Sequence, residues 1–73
     1  MASWDNEGYW NTVAGMRGWK EVAEEAKSAG QTIEAWLLAA EIEAMAAAGM
    51  KGRPSEWPSL RAEAIAYVEK KIG

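Results

Sequence analysis

Apolar residues recur at intervals of three and four positions along three stretches of this chain. That interval places them on one side of an α-helix, so each stretch predicts an amphipathic helix. The predicted helices cover residues 4–28, 33–48 and 56–72. Short connections between helices make neighbouring helices antiparallel. The pattern therefore predicts an all-α protein of one domain, folded as an antiparallel up-down-up three-helix bundle.

The residues between these stretches are typical of helix ends. Gly30 follows the first stretch, and Thr32 stands where the second helix needs an N-cap. Gly49 closes the second stretch, and Ser55 is predicted to cap the third helix, with Pro58 in its first turn. These signals support the division of the chain into three helices.

One stripe of the first predicted helix combines the largest side chain with the smallest. Its members are Trp4, Gly8, Thr12, Gly15, Trp19, Val22 and Ala26. Their spacing puts them on one side, which we expect to face the other helices. We interpret Gly8 and Gly15 as space for a bulky side chain of a facing helix, either Trp36 or Trp57. Three alternatives stay open: a groove for a ligand, a break of the helix near Gly8, and a contact with another molecule.

A second set of residues in the first helix is predicted to lie away from this stripe. It consists of Tyr9, Trp10, Val13, Met16, Arg17 and Lys20. Tryptophan, tyrosine, methionine and arginine are enriched where proteins bind one another. We therefore interpret this set as a candidate protein interface, and the alternative is an ordinary cluster at the edge of the core. Trp10 is expected on the polar side, where its loss would change stability by no more than about 0.5 kcal/mol.

The second predicted helix is apolar on two sides. One side carries Ile33, Trp36, Leu37, Ala40, Ala44 and Ala47, and the other carries Leu38, Ile42 and Met45. A bundle uses one apolar face of each helix. The second set is therefore a further interface candidate, for an unidentified protein target or a second copy of the chain. The alternative is that the bundle covers both sides. Glu34, Glu41 and Glu43 are expected to be polar residues that separate the two faces.

Composition narrows the classes of function. The chain has 73 residues and contains neither cysteine nor histidine, which excludes disulfides, thiolate metal ligands and the commonest general base. A net charge of -3 argues against partners such as nucleic acids and anionic membranes. No apolar run is long enough to span a bilayer. We recognise no signal peptide or transit sequence, so the sequence does not indicate a compartment.

No group of residues in the sequence predicts catalysis. Glu41 and Glu43 are two positions apart and point to different sides of a helix. The serines lie at predicted helix ends and in loops, where capping explains them, and no histidine accompanies them. The glycines do not form a phosphate-binding loop. We therefore expect no enzymatic activity, no cofactor and no metal site.

In style, the sequence resembles computationally designed helical mini-proteins. The resemblance rests on the compact caps and loops (AGQT, GRPSEWPS), the segment IEAWLLAAEIEAMAAA and the ending AEAIAYVEKKIG. It implies an artificial protein that binds another protein through its first helix, with a contribution from the second. Three alternatives stay open. They are a designed bundle whose only property is to fold, a designed small-molecule binder with a tryptophan-lined, glycine-floored cavity, and a natural helical module.

Overall fold

The computed structural model of the protein describes residues 4–73, and this part of the chain contains helices and no strand. The helices are α1 (Asn6–Val13), α2 (Trp19–Ser28), α3 (Ile33–Ala48) and α4 (Trp57–Ile72). α1 and α2 each pack against both α3 and α4, and α3 also packs against α4. The all-α class expected from the sequence is therefore confirmed, with four helices in the described residues instead of three.

The prediction of one continuous helix over residues 4–28 is wrong. α1 ends at Val13, and Gly15 and Met16 have backbone φ angles of +61° and +67°. These left-handed values are incompatible with a right-handed helix. Glycine adopts them freely, whereas any residue with a Cβ is destabilised there by roughly 1–2 kcal/mol. The break therefore lies at residues 14–18, which is one turn or more beyond the position near Gly8 that the sequence suggested.

The ends of α3 follow from local hydrogen bonds that the sequence indicates. The Thr32 hydroxyl accepts a hydrogen bond from the backbone N–H of Ala35, which is the expected N-cap. Gly49 has a φ of +69°, and this left-handed residue lets the Met50 N–H reach back to the Met45 carbonyl. Such an arrangement satisfies carbonyls that the end of a helix leaves unpaired.

The start of α4 differs from the prediction that Ser55 is its cap. The N-cap is Glu56, whose side chain makes no capping bond to the helix. Its carboxylate instead accepts a hydrogen bond from the backbone N–H of Trp4, 52 positions earlier in the chain. Glu56 thus links the segment before α1 to the beginning of α4. Its side chain is engaged in this long-range contact and does not cap the helix.

Trp57 lies at the centre of the core and is fully buried. The rings of Trp4 and Tyr9 meet it edge to face, with centroids 5.4 and 5.7 Å away. The predicted role of the glycine stripe is wrong at two points. Gly15 is exposed, and a Cβ at Gly8 would meet Trp4 and its own N-cap, so neither glycine accommodates Trp36 or Trp57.

Of the two apolar sides of α3, the side with Leu37 faces the core. Leu37 is fully buried, and Ile33, Trp36, Ala40 and Ala44 are half-buried against the same cluster. Glu41 is also fully buried, so its predicted position on a polar boundary is wrong. The reason is that two arginines and a tyrosine surround it, as described below.

Candidate functional site

The break between α1 and α2 determines where two tryptophans lie. Trp10 and Trp19 are nine positions apart in the sequence. In a continuous helix this separation is about two and a half turns, which would put the two indoles on opposite sides. With the helix interrupted, both indoles line a single cleft against α4.

This aromatic cleft has a volume of about 400 Å³ and lies between α1, α2 and α4. Leu60, Ala64 and Tyr67 of α4 form one wall, Trp10 and Trp19 form the other. The polar part of the lining comes from Asn6, Glu7, Asn11, Gly18 and Glu63. A concave, largely apolar surface with a few polar groups, in this range of volume, is typical of small-molecule sites.

Hydrogen bonds hold the polar parts of the cleft in position. The Asn6 side-chain amide donates to Glu63 Oε1 at 3.0 Å, which joins α1 to α4 at the rim. The Trp10 indole N–H donates to the backbone carbonyl of Arg17, across the break. Trp10 is half-buried and packs against the core, so its predicted position on the polar side of the helix is wrong.

Two of the interface residues predicted in the first helix are core residues. Tyr9 is fully buried and Val13 is 6 % exposed, so their assignment to an exposed interface is wrong. Their predicted outward direction assumed one continuous helix. The helix that carries them instead ends at Val13 and packs separately on α3 and α4. Met16, Arg17 and Lys20 are exposed, and an interface role for them stays a prediction.

The candidate interface residues of α3 differ in exposure. Ile42 is 57 % exposed, whereas Leu38 and Met45 are half-buried. Met45 packs against the core cluster, so the bundle covers part of this side of α3. Trp10, Met16, Leu38, Ile42 and Met45 therefore do not all lie on one exposed patch.

Arg17 connects the break to α2 and α3. Its guanidinium lies over the Trp36 ring, 5.8 Å from the centroid, and its Nε is 2.7 Å from Glu25 Oε2. Arg17, Trp36 and Ile42 line another groove, of about 380 Å³, between the break, α2 and α3. Exposed Met16 is the chain neighbour of Arg17. We call Met16, Arg17 and Ile42 the α3-side surface.

The most polar site in the interior is centred on the Glu41 carboxylate. It accepts hydrogen bonds from the Tyr9 hydroxyl at 2.7 Å, from Arg53 Nε at 2.6 Å and from Arg61 Nη1 at 2.8 and 2.9 Å. Burial, and then the hydrogen bond to the Glu41 carboxylate, raise the pKa of the Tyr9 phenol far above its ordinary value. Three donors therefore occupy the carboxylate, which makes this cluster a structural element that is closed to a substrate.

Sequence reasoning missed both the aromatic cleft and the Glu41 cluster. The sequence contains a signal for the aromatic cleft. Two glycines, Gly15 and Gly18, stand between Trp10 and Trp19 and favour a break of the helix, and only a break brings the two indoles to the same side. For the second, Glu41 follows Leu37 by four positions and so continues the core face of α3. A carboxylate on a core face needs cationic partners, and only the fold shows that Arg53 and Arg61 reach it.

Comparison with known proteins gives no relative, because no family model, no curated protein and no solved structure matches the chain. Within residues 4–73, none of the helices is long and apolar enough to cross a membrane. The same residues contain no group of three or more acidic side chains placed to hold a metal ion.

Proposed function

We propose that this protein is a binding domain whose site is the aromatic cleft, and that its ligand is a small organic molecule or group. The observation that carries the proposal is the meeting of Trp10, Trp19 and Tyr67 around a concave space of about 400 Å³. Aromatic side chains supply large contact areas with few rotatable bonds, which favours affinity. This proposal corresponds to the small-molecule binder that the sequence left open as an alternative. Gly18 lines the cleft, whereas Gly8 and Gly15 do not.

Binding is favoured over catalysis by the state of the acidic groups. The Glu41 carboxylate is fully buried and engaged by three donors, so it has no access to a substrate. The acids of the cleft, Glu7 and Glu63, are exposed, and exposed carboxylates lack the burial that tunes an acid for proton transfer. The arrangement can hold and orient a ligand without reacting with it.

The proposal is tested by two-dimensional NMR with a set of small aromatic compounds. The five tryptophans each give one indole N–H resonance, so the site of binding can be read directly. Binding in the cleft shifts the resonances of Trp10 and Trp19 and leaves that of buried Trp57 in place. A set of compounds that shifts neither of the two cleft indoles would overturn the proposal.

A matched pair of variants locates the site independently. Ala64→Leu adds bulk inside the cleft, whereas Ala66→Leu adds the same bulk on the exposed side of α4. We expect Ala64→Leu to abolish binding and Ala66→Leu to preserve it. Thermal melts by circular dichroism establish that both variants are folded, so a loss of binding in Ala64→Leu reports on the cleft.

A second candidate function is protein binding through the α3-side surface. Met16 is 84 % exposed and Ile42 is 57 % exposed, so both apolar side chains are accessible to a partner. A second copy of the chain is the simplest partner to test. Sedimentation would show a mass near twice the 8.0 kDa monomer, falling to the monomer in Ile42→Glu. A monomer at high concentration would exclude self-association and leave a different protein as the partner.

We also propose the up-down-up order, with α1 and α2 together forming the first arm of the bundle and α3 and α4 the other two. The packing of α1 and α2 on the same pair of helices supports this arrangement. A designed origin is likewise a proposal, resting on the caps and the compact loops. Two features depart from the designed style, since idealised designs avoid left-handed residues such as Met16 and buried charges such as Glu41.

A further inference from the structure

We infer that the aromatic cleft selects organic cations, such as an aryl or alkyl ammonium group, over neutral and anionic ligands of the same shape. This inference rests on the proposed function, because it names the class of ligand for the same site. Two of the described residues that line the cleft carry a charge, and both are acids, Glu7 and Glu63. Neither lysine nor arginine occurs among those lining residues.

The position of Glu63 adds to this charge selectivity. Its Oε1 accepts the hydrogen bond of Asn6, so the carboxylate is held at the rim and directs negative charge towards the cleft. An anionic ligand would meet two carboxylates there, while a cation would be attracted by both. The remaining polar lining residues, Asn6 and Asn11, carry no charge.

The aromatic lining favours a cation for a second reason. The face of an aromatic ring attracts cations, most strongly for tryptophan, and the cleft presents Trp10, Trp19 and Tyr67. The protein already uses this interaction at the edge of the cleft, where Lys71 Nζ lies 5.6 Å from the centre of the Tyr67 ring. We therefore expect Lys71, an exposed residue, to compete with a ligand cation for this ring.

Three soluble probes of similar shape test the inference by NMR titration. They are benzylammonium, benzyl alcohol and phenylacetate, which carry a positive charge, no charge and a negative charge. We expect the ammonium to bind about 2- to 30-fold more tightly than the alcohol, the range given by one cation–aromatic contact. Phenylacetate should bind most weakly, and salt should reduce the differences.

Variants assign the selectivity to the cleft acids. Glu7→Gln combined with Glu63→Gln should lower the preference for the ammonium over benzyl alcohol, and the part of the preference that remains comes from the aromatic rings. The control, Glu24→Gln combined with Glu43→Gln, changes the net charge equally at exposed positions outside the cleft lining. We expect this control to keep the preference, because its acids do not face the ligand.

A second pair of variants tests the competition by Lys71. Lys71→Gln should strengthen binding of the ammonium without strengthening binding of the alcohol. Lys70→Gln makes the same change of charge at an exposed position next to it, without the contact to Tyr67. An equal effect of both variants would show that Lys71 acts only through its charge. That result would overturn the proposed competition between Lys71 and the ligand for the Tyr67 ring.

The outcomes separate the inference from the proposed function. Equal binding of all three probes at Trp10 and Trp19 would overturn the selectivity for cations and leave the binding site intact. A preference that persists undiminished in the variant without the cleft acids would overturn the role given to Glu7 and Glu63, since the aromatic rings alone would then account for it. If none of the probes, nor any of the aromatic compounds above, shifts the two indoles, the proposed function fails together with the inference.

Discussion

Replacing Glu41 by alanine removes the acceptor on which two arginines and a tyrosine converge. The Glu41 side chain is 0 % exposed and the Arg61 side chain is 16 % exposed. After the replacement the Arg61 guanidinium stays largely buried without its counter-charge. Arg53, at 35 % exposure, has better access to water and suffers less. The loss is therefore dominated by Arg61 and by the unpaired hydroxyl of buried Tyr9.

Removing one partner of a buried ion pair typically destabilises a protein by about 3–5 kcal/mol. A chain of this length has a total stability of roughly 4–11 kcal/mol, taken from the usual value per residue. Glu41→Ala should therefore remove a large fraction of the free energy of unfolding. Urea denaturation followed by tryptophan fluorescence and by circular dichroism measures this change.

Two controls make the measurement specific. Glu43→Ala changes an exposed glutamate of the same helix and should alter stability by no more than about 0.5 kcal/mol. The pair Glu41→Met with Arg61→Met removes both charges of the most buried ion pair, and it should recover the part of the loss that comes from Arg61, since apolar replacements of buried ion pairs are often neutral. The Tyr9 hydroxyl stays without its acceptor in this variant, so the recovery is partial. A loss below about 1 kcal/mol in Glu41→Ala, or no recovery in the double variant, would refute the reasoning.

The remaining predictions concern Tyr9, Met16 and Trp10. The pKa of the Tyr9 phenol is raised above its ordinary value of 10.0, so the protein should keep its stability below pH 10 and lose stability as the pH rises further. Tyr9→Phe should flatten this pH dependence, and thermal melts across alkaline pH measure the difference. Met16→Gly should raise the free energy of unfolding by about 0.5–1 kcal/mol in urea denaturation, because it removes left-handed strain from an exposed residue. Gly15→Ala should lower the free energy of unfolding by about 1 kcal/mol. A lower stability of Met16→Gly would contradict the backbone geometry of the break. Trp10→Ala should lower the free energy of unfolding by about 1–3 kcal/mol, since Trp10 is half-buried against the core. An unchanged melting temperature would contradict this position of Trp10.

The ends of α3 could be predicted from sequence because each depends on one local residue. Thr32 caps its own helix, and Gly49 supplies the left-handed residue that ends it. α3 accordingly occupies the range that the pattern gave. The apolar spacing predicted two apolar sides of this helix without deciding which one is the core side, and the structure shows that it is the side with Leu37.

The break and the buried carboxylate could not be predicted in the same way, because each depends on contacts between distant residues. Gly15 weakens a helix only by roughly 1 kcal/mol, so the periodicity on both sides of it supported a continuous helix. The separate packing of α1 and α2 on α3 and α4 outweighs that local preference. Likewise, Glu41 is stable in the core only because residues 12 and 20 positions away bring guanidinium groups to it.

We propose that the interrupted first arm of the bundle brings Trp10 and Trp19 to one ligand. Intermolecular nuclear Overhauser effects from bound benzylammonium to the protein test this arrangement. We predict effects from one bound molecule to both indole rings and to Tyr67, together with non-helical backbone chemical shifts at Gly15 and Met16. Effects to only one of the two indoles, or helical shifts running without interruption from Val13 to Trp19, would contradict the account.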